Sequence, residues 1–346
     1  MLRSAVFVAL MCGTTIASSA AGLALQQAPS GLYTAEIPSE FYFSLEAVAA
    51  ARSSVNVDLG SDTIATTFSS RDLGTIGYGG GARLTLGGTV AGQWGVELGG
   101  LYLGGFASHG VMISPTEEFH ASYSDAVTPG NLFFESSDNA YALRREETSA
   151  LISGEVNATF ESANYGFFFG PKIYRYSSAL RTDVYDEQDD YDGLDDDIDT
   201  VDISSTNTLV GAHLGISGMY DLNDWVSIGG RAAIGLYTNF SALDRSYSDH
   251  GSGYSAFATS SVSSSSNSTG FAQSLELSPK VDVALTNNLD LTMGATFLYL
   301  NGVDEPGQHY EGIGGDNGLG TLAADTPSTK NGVGFSGLSL GLKGRF

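Results

Sequence analysis

Apolar and polar residues alternate over ten separate stretches of this chain, each about the length that a bilayer-crossing β-strand requires. In residues 74–86, Ile76, Tyr78, Ala82, Leu84 and Leu86 fall on one face, and Thr75, Arg83, Thr85 and glycines on the other. Residues 94–106 repeat the pattern, with Trp94, Val96, Leu98, Tyr102 and Phe106 set against Glu97. Stretches 148–160, 209–220, 226–239, 271–285 and 289–300 alternate in the same way, and 41–49, 165–177 and 333–346 do so less regularly. One face stays apolar while the other is polar and glycine-rich. That predicts an all-β protein: a transmembrane antiparallel up-and-down β-barrel of about ten strands, with twelve as the alternative.

The connections decide between a barrel and a soluble sandwich. Short turns near 88–92, 162–164, 221–224 and 286–288 alternate with long links near 50–73, 107–147, 178–206, 240–269 and 303–332. Outer-membrane barrels pair short periplasmic turns with long extracellular loops, and an even strand count leaves both ends in the periplasm. Aromatics fit two interfacial girdles. Trp94, Tyr165, Tyr220, Trp225 and Phe346 stand beside the short turns; Tyr102, Phe106, Tyr237, Phe240, Phe271 and Tyr299 mark the opposite ends. Pro171 and Pro279 fall inside strands, where the missing N–H predicts a bulge or bend.

The N-terminus reads as a secretory signal over 1–20. Arg3 precedes an apolar run from Ala5 to Ile16 and then small residues, which predicts cleavage at 20/21 or 21/22 and a periplasmic segment over 21–40 before the barrel of 41–346. Cys12, the single cysteine, would leave with that signal, so no thiolate chemistry is expected of the mature chain. The whole implies export to the outer membrane of a Gram-negative bacterium, among its lipid and lipopolysaccharide. A formal net charge of −24 excludes nucleic acid as a partner, because phosphate binding requires a basic surface. The closing strand, with Leu338, Leu340 and Leu342 on one face and Phe346 at its end, reads as the signal that outer-membrane assembly machinery recognises. Gly344 departs from the usual apolar residue there.

From about residue 167 onward the chain resembles the Legionella-type major outer-membrane protein family. The stretches that carry the resemblance are Phe169-Gly-Pro-Lys-Ile-Tyr174, Asn207-Thr-Leu-Val-Gly-Ala-His213, Phe297-Leu-Tyr-Leu-Asn-Gly-Val303 and Gly337-Leu-Ser-Leu-Gly-Leu342. The resemblance covers about half of the chain and implies a pore-forming barrel. It brings no catalytic residues with it.

Candidate chemistry is sparse. A rim protease needs clustered aspartates and Asp-x-His, whereas here Asp249 and His250 are adjacent. A lipid A deacylase needs His-x-Ser on a lipid-facing strand, and His120-Ala121-Ser122 falls in a long link. No catalysis is expected. Eleven carboxylates crowd residues 183–202, among them Asp189, Asp190, Asp192, Asp195, Asp197 and Asp199. Their spacing is not that of an EF-hand, so a weak Ca²⁺ site competes with a plain solvated acidic loop.

The inward face carries both signs: Arg83, Glu97, Glu155, Lys172, His213, Arg231, Glu276, Lys280, Asp282, Asp290, Lys343 and Arg345. Ten strands lie close to the size at which side chains fill a barrel. The expectation is a narrow pore passing small solutes or ions, or a structural surface protein; an adhesin or cation-binding receptor is the alternative. Turn positions predict Arg83 opposite Glu97 and Glu155 opposite Lys172 as cross-strand pairs.

Overall fold

In the computed structural model the alternating stretches become strands of a sheet that closes on itself. The structure describes residues 41–53, 58–62, 67–69, 77–113, 119–121, 142–162, 165–185, 198–249, 260–309, 313–316, 319–322, 327 and 331–346. The expected signal (1–20), the segment 21–40 and the acidic positions 189–197 lie outside them.

Strand β1 is Phe41–Arg52, followed by the short β2 (Asp58–Asp62) and β3 (Thr67–Ser69). Next come β4 (Tyr78–Ala91), β5 (Trp94–Ile113) and the short β6 (Phe119–Ala121). The longer strands are β7 (Ala142–Glu161), β8 (Tyr165–Tyr185), β9 (Ile198–Asn223), β10 (Val226–Asp249) and β11 (Ser260–Thr286). After β12 (Leu289–Val303) come a 3₁₀ turn at Pro306–Gln308, β13 (Ile313–Asp316), β14 (Leu319–Leu322) and the closing β15 (Asn331–Arg345).

Ten of these strands form a closed barrel in the order β1-β15-β12-β11-β10-β9-β8-β7-β5-β4, with β4 returning to β1. Every neighbouring pair is antiparallel. Closure leaves no sheet edge, which lipid requires because hydrocarbon offers no partner to a free N–H or C=O. Ten strands, not twelve, close the ring. Strands β2, β3 and β6 make a separate three-stranded sheet, and β13 and β14 a two-stranded one. His120 therefore belongs to that small sheet, paired with Ser61, and not to a lipid-facing strand.

The outer surface carries the apolar face. Phe167, Phe169, Ile173, Val210, Leu214, Ile216, Ile234, Leu236, Leu338 and Leu340 are exposed on it. Trp94, Tyr165, Tyr220, Trp225 and Phe346 ring the end with the short turns, and Tyr102, Phe240, Phe271 and Tyr299 the other. Phe106 and Tyr237 depart from the girdle expectation, since both point inward and are buried. The ladder between β5 and β7 shifts register between Leu103 and Phe106, where Gly105 adopts φ +72°. One extra residue exchanges the two faces. Tyr237 keeps the inward parity of its strand.

The prolines do not produce the expected bulges. Pairing between β7 and β8 is interrupted opposite Gly170 and Pro171 but resumes at the same register. The ladder between β11 and β12 likewise skips Ser278 and Pro279 without a shift. Each ring removes a donor on one side only, and the flanking rungs hold the strand in place.

The expected long links at 178–206 and 240–269 are largely strand: β8 runs to Tyr185, β9 starts at Ile198, β10 runs to Asp249 and β11 starts at Ser260. The links at 107–147 lose both ends to β5 and β7 in the same way. Apolar alternation stops where lipid stops, but ladder hydrogen bonding does not need apolar side chains. Outward Thr206, Ser204, Asp202 and Asp244 continue the same strands above the apolar belt. The barrel rises well past the membrane on the β7–β11 side.

Candidate functional site in the barrel lumen

Strands that are not neighbours can touch only through the interior, so contacts between them define the lumen. Three layers result.

The layer nearest the short turns is ionic. Lys172 on β8 lies 2.6 Å from Glu155 on β7 and 2.7 Å from Glu276, three strands away on β11. The Tyr174 hydroxyl also donates to Glu276, at 2.6 Å. Arg231 on β10 reaches across to Glu97 on β5 at 2.7 Å, and Glu97 accepts further bonds from Tyr42 and Asn157. His213 Nε2 lies 2.6 Å from Asn157 Oδ1. Nearer the mouth, Lys343 pairs with Asp282 at 3.1 Å and Arg345 with Asp290 at 2.7 Å. Buried carboxylates of this kind persist only when paired and hydrogen-bonded.

Register corrects one of the two expected pairs. Glu155 does face Lys172. Arg83, however, lies opposite Leu101 on one side and Glu46 on the other, while Glu97 lies opposite Gly87. The hairpin turns at Gly92, two residues later than its expected centre. Arg83 therefore meets Glu46 at 3.7 Å and donates to Thr296 at 3.1 Å.

The middle layer is an apolar septum. Val48, Ala50, Leu101, Leu103, Phe106, Leu151, Tyr174, Tyr176, Leu209, Tyr237, Ala272, Leu298, Leu300, Val303, Val333 and Phe335 form one buried cluster. Nine of the ten barrel strands contribute to it. The tenth, β4, supplies Gly79, where a Cβ would approach the Phe106 ring to 2.9 Å. Ring contacts tie the septum together: Phe106 and Tyr176 on Phe335, and Tyr174 on Tyr237.

The third layer, above the septum, is built around a segment that folds inward after β12. Asn207 grips Asp304 twice, donating to its carbonyl at 2.8 Å and accepting from its N–H at 2.7 Å. Ser205 also donates to that carbonyl, and Asn239 to the carbonyl of Gly302. Gly302 holds φ +81°, and a Cβ there would fall 2.2 Å from the Phe271 carbonyl, so the inward bend requires glycine. Arg52 on β1 then pairs with Glu147 on β7 and, at 2.7 Å, with Glu305. Arg145 adds a second cation to Glu147, at 3.0 Å. Asp304 and His309 meet at 2.6 Å. Glu305 lies past the end of β12, beyond the lipid-facing belt. Its carboxyl is pushed up to about 7, chiefly by burial and further by Glu147 and Asp304, against the opposing pull of Arg52 and Tyr176.

All twelve inward residues singled out in the sequence face this lumen, but only below the septum. Arg52, Glu147, Asp304, Glu305 and His309 escaped sequence reading because they sit where alternation had ended or in an expected loop. Tyr42, Glu46 and Asn157 have the inward parity of their strands and were legible from it. Among the described residues no group of three or more His, Cys, Asp or Glu side chains is placed to hold a metal ion. Of the acidic positions proposed for Ca²⁺, only the backbone of Asp199 is described, paired with Val184.

No known protein family matches the chain, and no curated protein matches it. Several solved structures align with it. One is the outer-membrane protease OmpT from Escherichia coli, at 11% identity and TM-score 0.47, over 89% of this chain and 97% of that one. Another is the toluene transporter TodX from P. putida, at 7% identity and TM-score 0.34, over 89% and 91%. A third is the translocator domain of the autotransporter NalP from Neisseria meningitidis, at 10% identity and TM-score 0.33, over 99% and 98%.

A closed antiparallel barrel with an apolar belt, two aromatic rings and a filled polar interior defines an outer-membrane β-barrel protein, and this chain is one. One expectation is corrected by the comparisons. The sequence reading assigned no catalysis, yet a protease stands among the barrels that align with the chain. The barrel architecture is shared by enzymes and non-enzymes, so that exclusion is withdrawn.

Proposed function

We propose that this protein is a closed barrel that anchors a tall extracellular rim to the outer membrane, and that its resting state passes no solute. The septum carries this reading, since nine strands contribute side chains to one buried apolar layer across the lumen. Hydrated ions crossing such a layer would have to shed water where only the hydroxyls of Tyr174, Tyr176 and Tyr237 could replace it. The ionic layer below and the docked 304–309 segment above add two further obstructions. Strands that continue past the belt give the rim rigidity, which suits display of surface loops. Partners consistent with the reading are the lipid around the belt and lipopolysaccharide, whose phosphates Arg175 is positioned to meet on the outer face just above Ile173. Insertion through the assembly machinery would use β15 and Phe346, after export by the N-terminal signal. The resemblance to the Legionella-type family points instead to a pore, which here would require Tyr174, Tyr237 and Phe335 to withdraw.

Planar-bilayer recording of the refolded protein tests the proposal. Silence across the accessible voltage range is expected. Discrete conductance steps from the wild-type protein would overturn it and favour the narrow pore.

A further inference from the structure

The ionic layer contains Arg83, Lys172, Arg231, Lys280, Lys343 and Arg345 facing Glu46, Glu97, Glu155, Glu276, Asp282 and Asp290. The numbers match, but the pairing does not. Lys172 takes both Glu155 and Glu276; the other four pairs are Arg83–Glu46, Arg231–Glu97, Lys343–Asp282 and Arg345–Asp290. Among the described residues, Lys280 is thus the one cation of this layer with no carboxylate within ion-pair distance. Excess negative charge resides at the Lys172 triple and excess positive charge at Lys280.

The residues that flank Lys280 are small. Its cross-strand neighbours are Gly229 on β10 and Gly294 on β12, so no side chain flanks it on either side. The row continues to Ser339 on β15, and Ser278 stands one inward position above it. The charged groups that act on Lys280 are Lys343, Arg231, Asp282 and Glu46. Both carboxylates are already engaged: Asp282 by Lys343 and Thr292, Glu46 by Arg83 and Ser44. Lys280 remains partly exposed to the lumen space, on the periplasmic side of the septum.

We propose that Lys280, with the hydroxyls of Ser278 and Ser339 beside it, forms a binding site for a small oxyanion entering from the periplasm. A lysine ammonium is a compact point charge suited to phosphate-like oxygens. The nearby cations Arg231 and Lys343 add attraction. The occupant supplies the counter-charge that the strands withhold.

The test compares wild type with Lys280→Met in detergent, following heat conversion of the folded to the unfolded gel band. Sodium phosphate is titrated against sodium chloride at matched ionic strength. A ligand that binds only the folded state raises its stability with concentration. The wild-type conversion temperature is expected to rise and saturate with phosphate, while that of Lys280→Met stays flat. The variant breaks no ion pair, so it is expected to fold and, in chloride, to match or exceed wild type. Equal phosphate responses in the two proteins, or no wild-type response, would overturn the proposal. Carbon-13 reductive methylation offers a second readout, because the chain has four lysines and methylation keeps their charge. Phosphate should move the Lys280 resonance more than that of Lys172. A shift confined to other lysines would also overturn the assignment.

Discussion

Ion pairs below and above the septum use the same residue types but stand on different backbones. Below it, Lys172, Glu155 and Glu276 all project from barrel strands paired by ladders of constant register. Above it, Arg52 and Glu147 are on strands while Glu305 belongs to a segment held chiefly by side chains. A strand cannot withdraw alone without breaking two ladders. A segment of half a dozen residues can. Charge below the septum is therefore part of the barrel's stability, whereas charge above it works as a clasp.

The largest expected effect follows from breaking the lower triple. Lys172→Ala leaves two carboxylates buried without their cation, which costs about 3–5 kcal/mol for such sites. Urea unfolding midpoints would show it, and replacing all three residues with neutral ones of similar size should recover much of the loss. A midpoint unchanged from wild type would mean that the lower lumen is freely hydrated. Next comes the septum. Phe335→Ala removes the ring that touches Phe106 and Tyr176, with a cost of about 3–5 kcal/mol. If that variant alone gains conductance, the septum is the barrier to ions.

Arg52→Ala should act differently. The global midpoint is expected to fall less than for Lys172→Ala, while added protease gains access to 304–309 in proteoliposomes. Equal global losses from the two variants would erase the contrast between clasp and scaffold. A milder lever on the same clasp is pH. The folded state holds the Glu305 proton up to about 7, whereas an unfolded glutamate releases it near its ordinary value of 4.5. The folded protein thus binds more protons between those values, and this contribution is full below the lower one and lost as pH rises through about 7. Protease access to 304–309 should therefore increase from pH 5 to pH 8, and a flat profile would exclude Glu305 as the sensitive group. Smallest of all is Arg83→Ala. Its partner is 3.7 Å away and its side chain partly exposed, so a loss of roughly 1 kcal/mol or less is expected.

The membrane-crossing half of the molecule was legible because lipid enforces one simple rule on each strand. Leu84, Val96, Ile216 and Leu340 had to face outward, so Arg83, Glu97, Lys172 and Arg231 had to face inward. The upper half was not. Outward Ser204, Asp202 and Asp244 carry no apolar signal, and a strand with polar residues on its exposed face reads as loop. Nor was the inward turn after Val303 visible, since nothing local marks Glu305 as the partner of Arg52, 253 residues away in the chain.

By itself the amino-acid sequence determined the class of fold, the ten strands, their facing and most of the charge that faces inward below the septum, because alternation and turn spacing are local properties. Tertiary structure decided the partners other than Glu155 and Lys172. Barrel shear and a bulge of one residue at Gly105 set which inward side chains share a level. They put Arg83 with Glu46, carry Phe106 into the septum, and leave Lys280, among the described residues, with no carboxylate at ion-pair distance.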